Sequence, residues 1–262
     1  MNNAPVRTVS DAKRDFYTHH TRPINSIYRR VVDELLVEMH LLSVNADFTY
    51  DPIYALGVVT TYDRFMEGYQ PESDKDSIFN GLCRAVDSTP EQYRGDAAAI
   101  QSAIADISFE DFKGQFDNLS EAAHGDGLRG ALGTVAAKQP FKYSRPFGIG
   151  LYTLAESVAP AEALSSKESV EALFKELGDK LNISTDKLLK DVDLYRSNLE
   201  KFVQAQEVMK DMLAADRKKR EERQKATQAN TDEASEAASK EEDSQPAVAT
   251  GGDQPDPEEA PE

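Results

Sequence analysis

The chain has 262 residues, a formal net charge of -17 and a mean hydropathy of -0.58, long enough for one large domain or two small ones with a real core. Its acidity is local, because residues 226–262 hold eleven acids against one base. A net-negative chain lacks the broad phosphate-neutralising surface of a nucleic-acid binder, and no apolar run approaches the ~20 residues of a membrane span. Its one cysteine, Cys83, can form neither an internal disulfide nor a zinc site. With Ile78, Phe79, Leu82 and Val86 around it, Cys83 is expected to be an inert core thiol. The polar N-terminus shows neither a signal core nor an Arg-rich transit segment. A cytosolic protein, or one attached peripherally to the cytosolic face of a membrane, is therefore expected.

Helical periodicity runs through most of the chain. A short first helix opens at Thr8 or Ser10, carries Phe16 and Tyr17, and ends at His19-His20, where imidazoles can serve the free carbonyls. Ile24, Ile27, Tyr28, Val31, Val32, Leu35, Leu36, Met39 and Leu42 then recur at spacings of three and four. They predict a helix of about five turns with one apolar face and Pro23 in its first turn. Asp51-Pro52 repeats the start signal of a capping side chain followed by proline. The stretch 53–69 is rich in β-branched residues, yet Ala55, Val58, Val59, Tyr62, Phe65, Met66 and Tyr69 keep the helical period too long for a strand. Residues 73–86 predict another helix. Thr89-Pro90-Glu91-Gln92 reads as a capping box opening a further one to about Ile107.

Residues 108–150 are less legible, since glycines at 114, 125, 127, 130 and 133 interrupt them. Phe147, Leu151 and Leu154 give a short apolar face for one more helix, and the chain turns near Pro160, where a domain boundary is expected. Ser165-Ser166-Lys167-Glu168 is a second capping box, before a helix bearing Val170, Leu173, Phe174, Leu177 and Leu181. From Ser184, the positions Leu188, Val192, Tyr195, Leu199, Phe202, Gln206, Met209 and Leu213 alternate steps of four and three, a heptad seam with one polar member, Gln206. Such a stripe packs either on its own domain or on another chain. Beyond it the run Arg217-Lys218-Lys219-Arg220-Glu221-Glu222-Arg223 favours helix without an apolar face. From residue 226 the Ala, Ser, Glu, Pro and Gly composition predicts disorder.

The expected fold is thus all-α: a helical bundle over residues 1–160, C-terminal helices over 161–225 including a long coiled-coil-like helix from about 184, and a disordered acidic tail over 226–262. Tempting chemical motifs do not meet their structural requirements. Gly125-Asp126-Gly127-Leu128-Arg129-Gly130 spells a dinucleotide fingerprint, but no strand precedes it and no acid follows at the required distance; it reads as an inter-helix loop. Glu34 and Glu38 share a helix face, but no histidine completes the Glu-x-x-His pair of a di-iron site, so they read as solvated acids. His124 stands alone. No catalytic, cofactor-binding or metal-ligating residue is expected, and no enzymatic activity.

Several strings resemble a known family. They are Thr8-Val9-Ser10-Asp11-Ala12-Lys13-Arg14, Phe16-Tyr17, His20-Thr21-Arg22-Pro23-Ile24-Asn25 and Tyr28-Arg29-Arg30; then Glu38-Met39-His40-Leu41-Leu42-Ser43, Asp51-Pro52-Ile53-Tyr54-Ala55-Leu56-Gly57 and Asp63-Arg64-Phe65-Met66. Later, Tyr143-Ser144-Arg145 and Gly150-Leu151-Tyr152 fit the same pattern. The chain resembles the thylakoid formation proteins, or photosystem II biogenesis factors, of cyanobacteria and chloroplasts. The match is close over residues 8–69, extends to about 220 and misses the acidic tail. The resemblance implies an all-helical accessory protein at the thylakoid membrane, supporting photosystem II assembly and repair. Implied partners are membrane FtsH protease complexes and photosystem II assembly intermediates. The absence of a transit segment makes it similar to the cyanobacterial members, on the cytoplasmic face of the thylakoid membrane. Pro146 and Gly148 sit where helix formers would be expected, which predicts a shifted start for that element.

Two readings of function follow. In one, an adaptor binds FtsH through its last helix, with Tyr195, Leu199, Phe202, Gln206, Met209, Leu213, Arg217 and Arg220 as candidate contacts. In the other, a structural membrane-organising factor lays the basic segment on anionic thylakoid lipid.

Overall fold

The computed structural model describes residues 7–122, 125–138 and 140–241, with side chains to Gln224. It is all-α. The chain divides into two units, residues 1–205 and 206–262, and the first is the helical body.

The early start signals act as the sequence predicts. Helix α1 (Val9–His19) is capped by Thr8, whose side chain exchanges hydrogen bonds with Asp11 in a complete capping box. Helix α3 (Pro52–Phe65) is capped by Asp51, which accepts the Tyr54 N–H at 2.8 Å. Helix α2 (Ser26–Ser43) opens later than expected, after an Asn25 side chain that accepts the Ile27 N–H. Pro23 therefore lies ahead of the helix, because the asparagine supplies the cap. Helix α4 spans Asp74–Arg84 and α5 spans Pro90–Ser102, ending before the buried Ile104. Thr89 caps α5 through the Gln92 N–H, but the Gln92 side chain turns to the Ser88 hydroxyl, so only half the predicted capping box forms.

Beyond Ser102 come α6 (Phe109–Gly114), a 3-10 turn at Leu119–Glu121, α7 (Gly127–Ala137) and α8 (Arg145–Val158). Pro146 and Gly148 do not displace the start of α8: Ser144 caps it and the proline occupies its first turn, where the missing N–H costs nothing. Helix α9 (Lys167–Lys180) corrects the second capping box by one residue, since Ser166 pairs reciprocally with Ser169. Helix α10 (Thr185–Glu241) continues past residue 225. It thereby takes in the first part of the segment expected to be disordered; residues 242–262 lie outside the described residues.

The crossing of α3 and α8 forms the centre of the body. A Cβ on Gly57 would overlap the Pro146 carbonyl, and one on Gly150 would overlap the Ile53 carbonyl. These glycines let two backbones meet where any other side chain would hold them apart. An aromatic cluster of Phe48, Tyr50, Tyr54 and Tyr93 joins α3 to α5 by edge-on contacts. Phe16 of α1 lies against Gly81 of α4. No boundary falls at Pro160: Phe174 of α9 stacks on Tyr152 of α8 at 5.9 Å, and both are in one core with Leu188 and Val192 of α10.

Candidate partner-binding surface on the last helix

The stripe on α10 changes character along its length. Leu188 and Val192 are fully buried, Tyr195 is 4% exposed, and Phe202 is 8% exposed. Phe202 packs edge-on against Tyr28 at 5.5 Å and Phe65 at 5.4 Å. Tyr195 meets Tyr152 and Phe65, and its hydroxyl accepts a hydrogen bond from Arg64 at 3.2 Å. Leu199 packs against the same core. Of the eight candidate contacts, these three are therefore spent on the protein's own body: each buried ring or leucine is held there by ~2 kcal/mol or more of apolar burial.

Gln206 and Met209 are partly covered, and then the stripe is open: Leu213 is 64% exposed. Sequence spacing missed its neighbours Val208 and Met212, which lie off the heptad positions and are 59% and 65% exposed. The polar Gln206 was the legible signal, marking where the covered seam ends. Arg217 and Arg220 are exposed, with Lys218 and Lys219 between them. Arg217 pairs with Glu221 at 3.0 Å, one helical turn on, the pairing expected of a solvated charged helix.

The other candidates resolve as parts of the body. Cys83 is fully buried, and burial pushes its thiol up to about 12, away from reactivity. The His19 ring meets the Asp15 carbonyl at 2.9 Å, as the helix end predicts. His20 instead turns inward: it is buried, its Nδ1 lies 2.7 Å from the Ser77 hydroxyl, and desolvation lowers its pKa. His124 lies outside the described residues. The glycine motif is only partly a loop, because Gly127 and Gly130 belong to α7; Gly127 has φ +64°, and a Cβ on Gly130 would overlap the Gly125 carbonyl. Before it stands a 3-10 turn and not the strand a dinucleotide site needs. Glu34 is solvated and pairs with Arg30. Glu38 is not: Arg145 donates to its Oε2 from Nη2 at 2.6 Å and Nε at 3.1 Å. Desolvation still raises the Glu38 pKa, with the guanidinium opposing it. Among the described residues no cluster of His, Cys, Asp or Glu could hold a metal ion. Among them also, no helix is long and apolar enough to cross a membrane.

Residues 8–224 match the family model of the thylakoid formation protein. The chain belongs to that family. It is 55% identical over 219 residues to Protein Thf1 of a Nostoc species, covering 84% of this chain and 94% of the relative. Against Protein Thf1 of Crocosphaera subtropica it is 56% identical over 216 residues, covering 82% and 87%. The chain also resembles the solved structure of Psb29, with a TM-score of 0.71 and 41% identity over 82% of this chain and 98% of that one. Family membership gives the chain a role in thylakoid biogenesis. The family match ends at residue 224, so it takes in the open stripe and the basic run while leaving out the acidic segment.

Proposed function

We propose that the chain is a non-catalytic adaptor that supports photosystem II assembly and repair by binding and stabilising membrane FtsH protease complexes. The observation that carries this reading is the exposed apolar group Val208, Met212 and Leu213, on a helix whose earlier stripe is already satisfied. Exposed aliphatic side chains on consecutive turns are costly to leave in water and typical of helix-in-groove recognition. The basic run from Arg217 to Arg220 adds a charged flank that would steer such an encounter. The test is affinity recovery from detergent-solubilised thylakoids with the full chain and with a Met212→Glu, Leu213→Glu double variant. FtsH should be recovered by the parent and lost with the variant, at unchanged helicity and melting temperature. Equal recovery by both would remove this surface from the adaptor reading.

A membrane-organising role is favoured by one observation of its own, four consecutive exposed cations at 217–220. Each basic residue near an anionic leaflet is worth about 1 kcal/mol. Flotation with phosphatidylglycerol vesicles separates the readings: salt-sensitive binding lost on Arg217→Glu, Arg220→Glu supports the lipid role, and its absence sinks it.

A further inference from the structure

Within the body, α2, α8 and α10 enclose a groove of about 350 Å³. Ile27, Val31 and Leu35 of α2, Ile149 of α8 and Leu194 of α10 line it, and Leu194 is 48% exposed. Three cations line it, Arg30, Arg145 and Lys201, against one acid, Glu34. Two of the three are already neutralised: Arg30 by Glu34 at 2.9 Å, and Arg145 by Glu38 at 2.6 Å. Among the described residues Lys201 forms no ion pair. Arg145 and Glu34 also border a second, larger groove, in which four cations stand against four acids. The first groove combines an apolar lining with a surplus of cations over acids.

The groove's volume, about 350 Å³, is in the range of small-molecule sites, and its lining is apolar with a few convergent polar groups. One unmatched ammonium balances one negative charge; a dianionic phosphate would need a second cation, and the two arginines are committed. We infer that the α2–α8–α10 groove binds a single-chain amphiphile with a carboxylate head, a fatty acid, with its head at Lys201 and its chain along Ile27, Val31, Ile149 and Leu194. This site is independent of the outer half of α10, and either assignment can fail without the other.

The test is calorimetric titration of the full chain with dodecanoate, below its micellar concentration at pH 8, beside dodecanol as the uncharged comparator. Saturable one-to-one binding of dodecanoate, tighter than dodecanol, is expected. Lys201→Glu should weaken it at least about tenfold, the loss expected for one charge-assisted contact. Leu194→Asp should weaken it comparably, while Leu213→Glu, outside the groove, leaves it unchanged. Residues 194 and 201 are exposed, so both variants should keep the parent's circular dichroism and melting temperature. Absence of saturable binding, or binding indifferent to Lys201→Glu and Leu194→Asp, would overturn the assignment. So would binding of phosphatidylglycerol vesicles or of an acidic amphipathic peptide without binding of monomeric dodecanoate, which would give the groove to a membrane or a protein partner.

Discussion

The two halves of α10 share one repeat and live in different surroundings. From Leu188 to Phe202 the seam is core, closed by Tyr28, Phe65 and Tyr152. Beyond it Met209 is partly covered, while Val208, Met212 and Leu213 stand more than half exposed. A heptad repeat states that a surface wants covering; it does not state by what. In the first half the protein's own helices meet that demand, and in the second the demand is left for something else.

This comparison can be broken in several ways. The largest effect belongs to the middle of the body. Gly57→Ala would drive a methyl into the Pro146 carbonyl, forcing α3 from α8 at a cost of about 3 kcal/mol or more, far beyond alanine's helix-propensity gain of ~1 kcal/mol. Thermal denaturation should register it as a fall of roughly 6–12 °C. Phe202→Ala should come close to that, at about 3 kcal/mol; a loss under about 0.5 kcal/mol in chemical denaturation would mean that the inner seam is not core. A pH dependence also belongs to the body. Burial raises Asp51 to about 7, above its ordinary value near 4. Between those two values the folded state holds a proton that the unfolded chain has released. The associated stability is full below about pH 4 and lost as pH rises through 7. Asp51→Asn keeps a capping side chain without the charge, so its melting temperature relative to the parent should rise from pH 5 to pH 8. The smallest effect is expected outside the body: Leu213→Glu should change stability by no more than about 0.5 kcal/mol. A larger loss of melting temperature would show the outer stripe to be covered within the protein.

Most helix starts were legible because caps are local chemistry. Thr8, Asp51 and Thr89 each accept an N–H within three residues of themselves, so the signal and its cause share one turn. Where two polar side chains compete for the same orphan donors, as at Ser165 and Ser166, the start shifted by one residue. Glycines were the harder letters. Gly57 and Gly150 add nothing to an apolar stripe, yet they permit the close approach of the α3 and α8 backbones. That approach is made with residues 89 to 97 positions away, which no local pattern encodes. Glu38 was unreadable for the same reason: its partner Arg145 lies 107 residues on, and only the fold buries the pair.

For the candidate surface, the sequence supplied a helix and a stripe of side chains along it. It gave the period, the polar break at Gln206 and the basic run, all of which follow from helix geometry alone. It could not say that Tyr195, Leu199 and Phe202 are used at home, or that Val208 and Met212 are open, because burial is a property of neighbours and not of spacing. By itself, then, the sequence determined an all-helical chain with a long last helix and a place in the thylakoid formation family. Tertiary structure alone decided which part of that helix is core, since the side chains that cover it come from α2, α3 and α8.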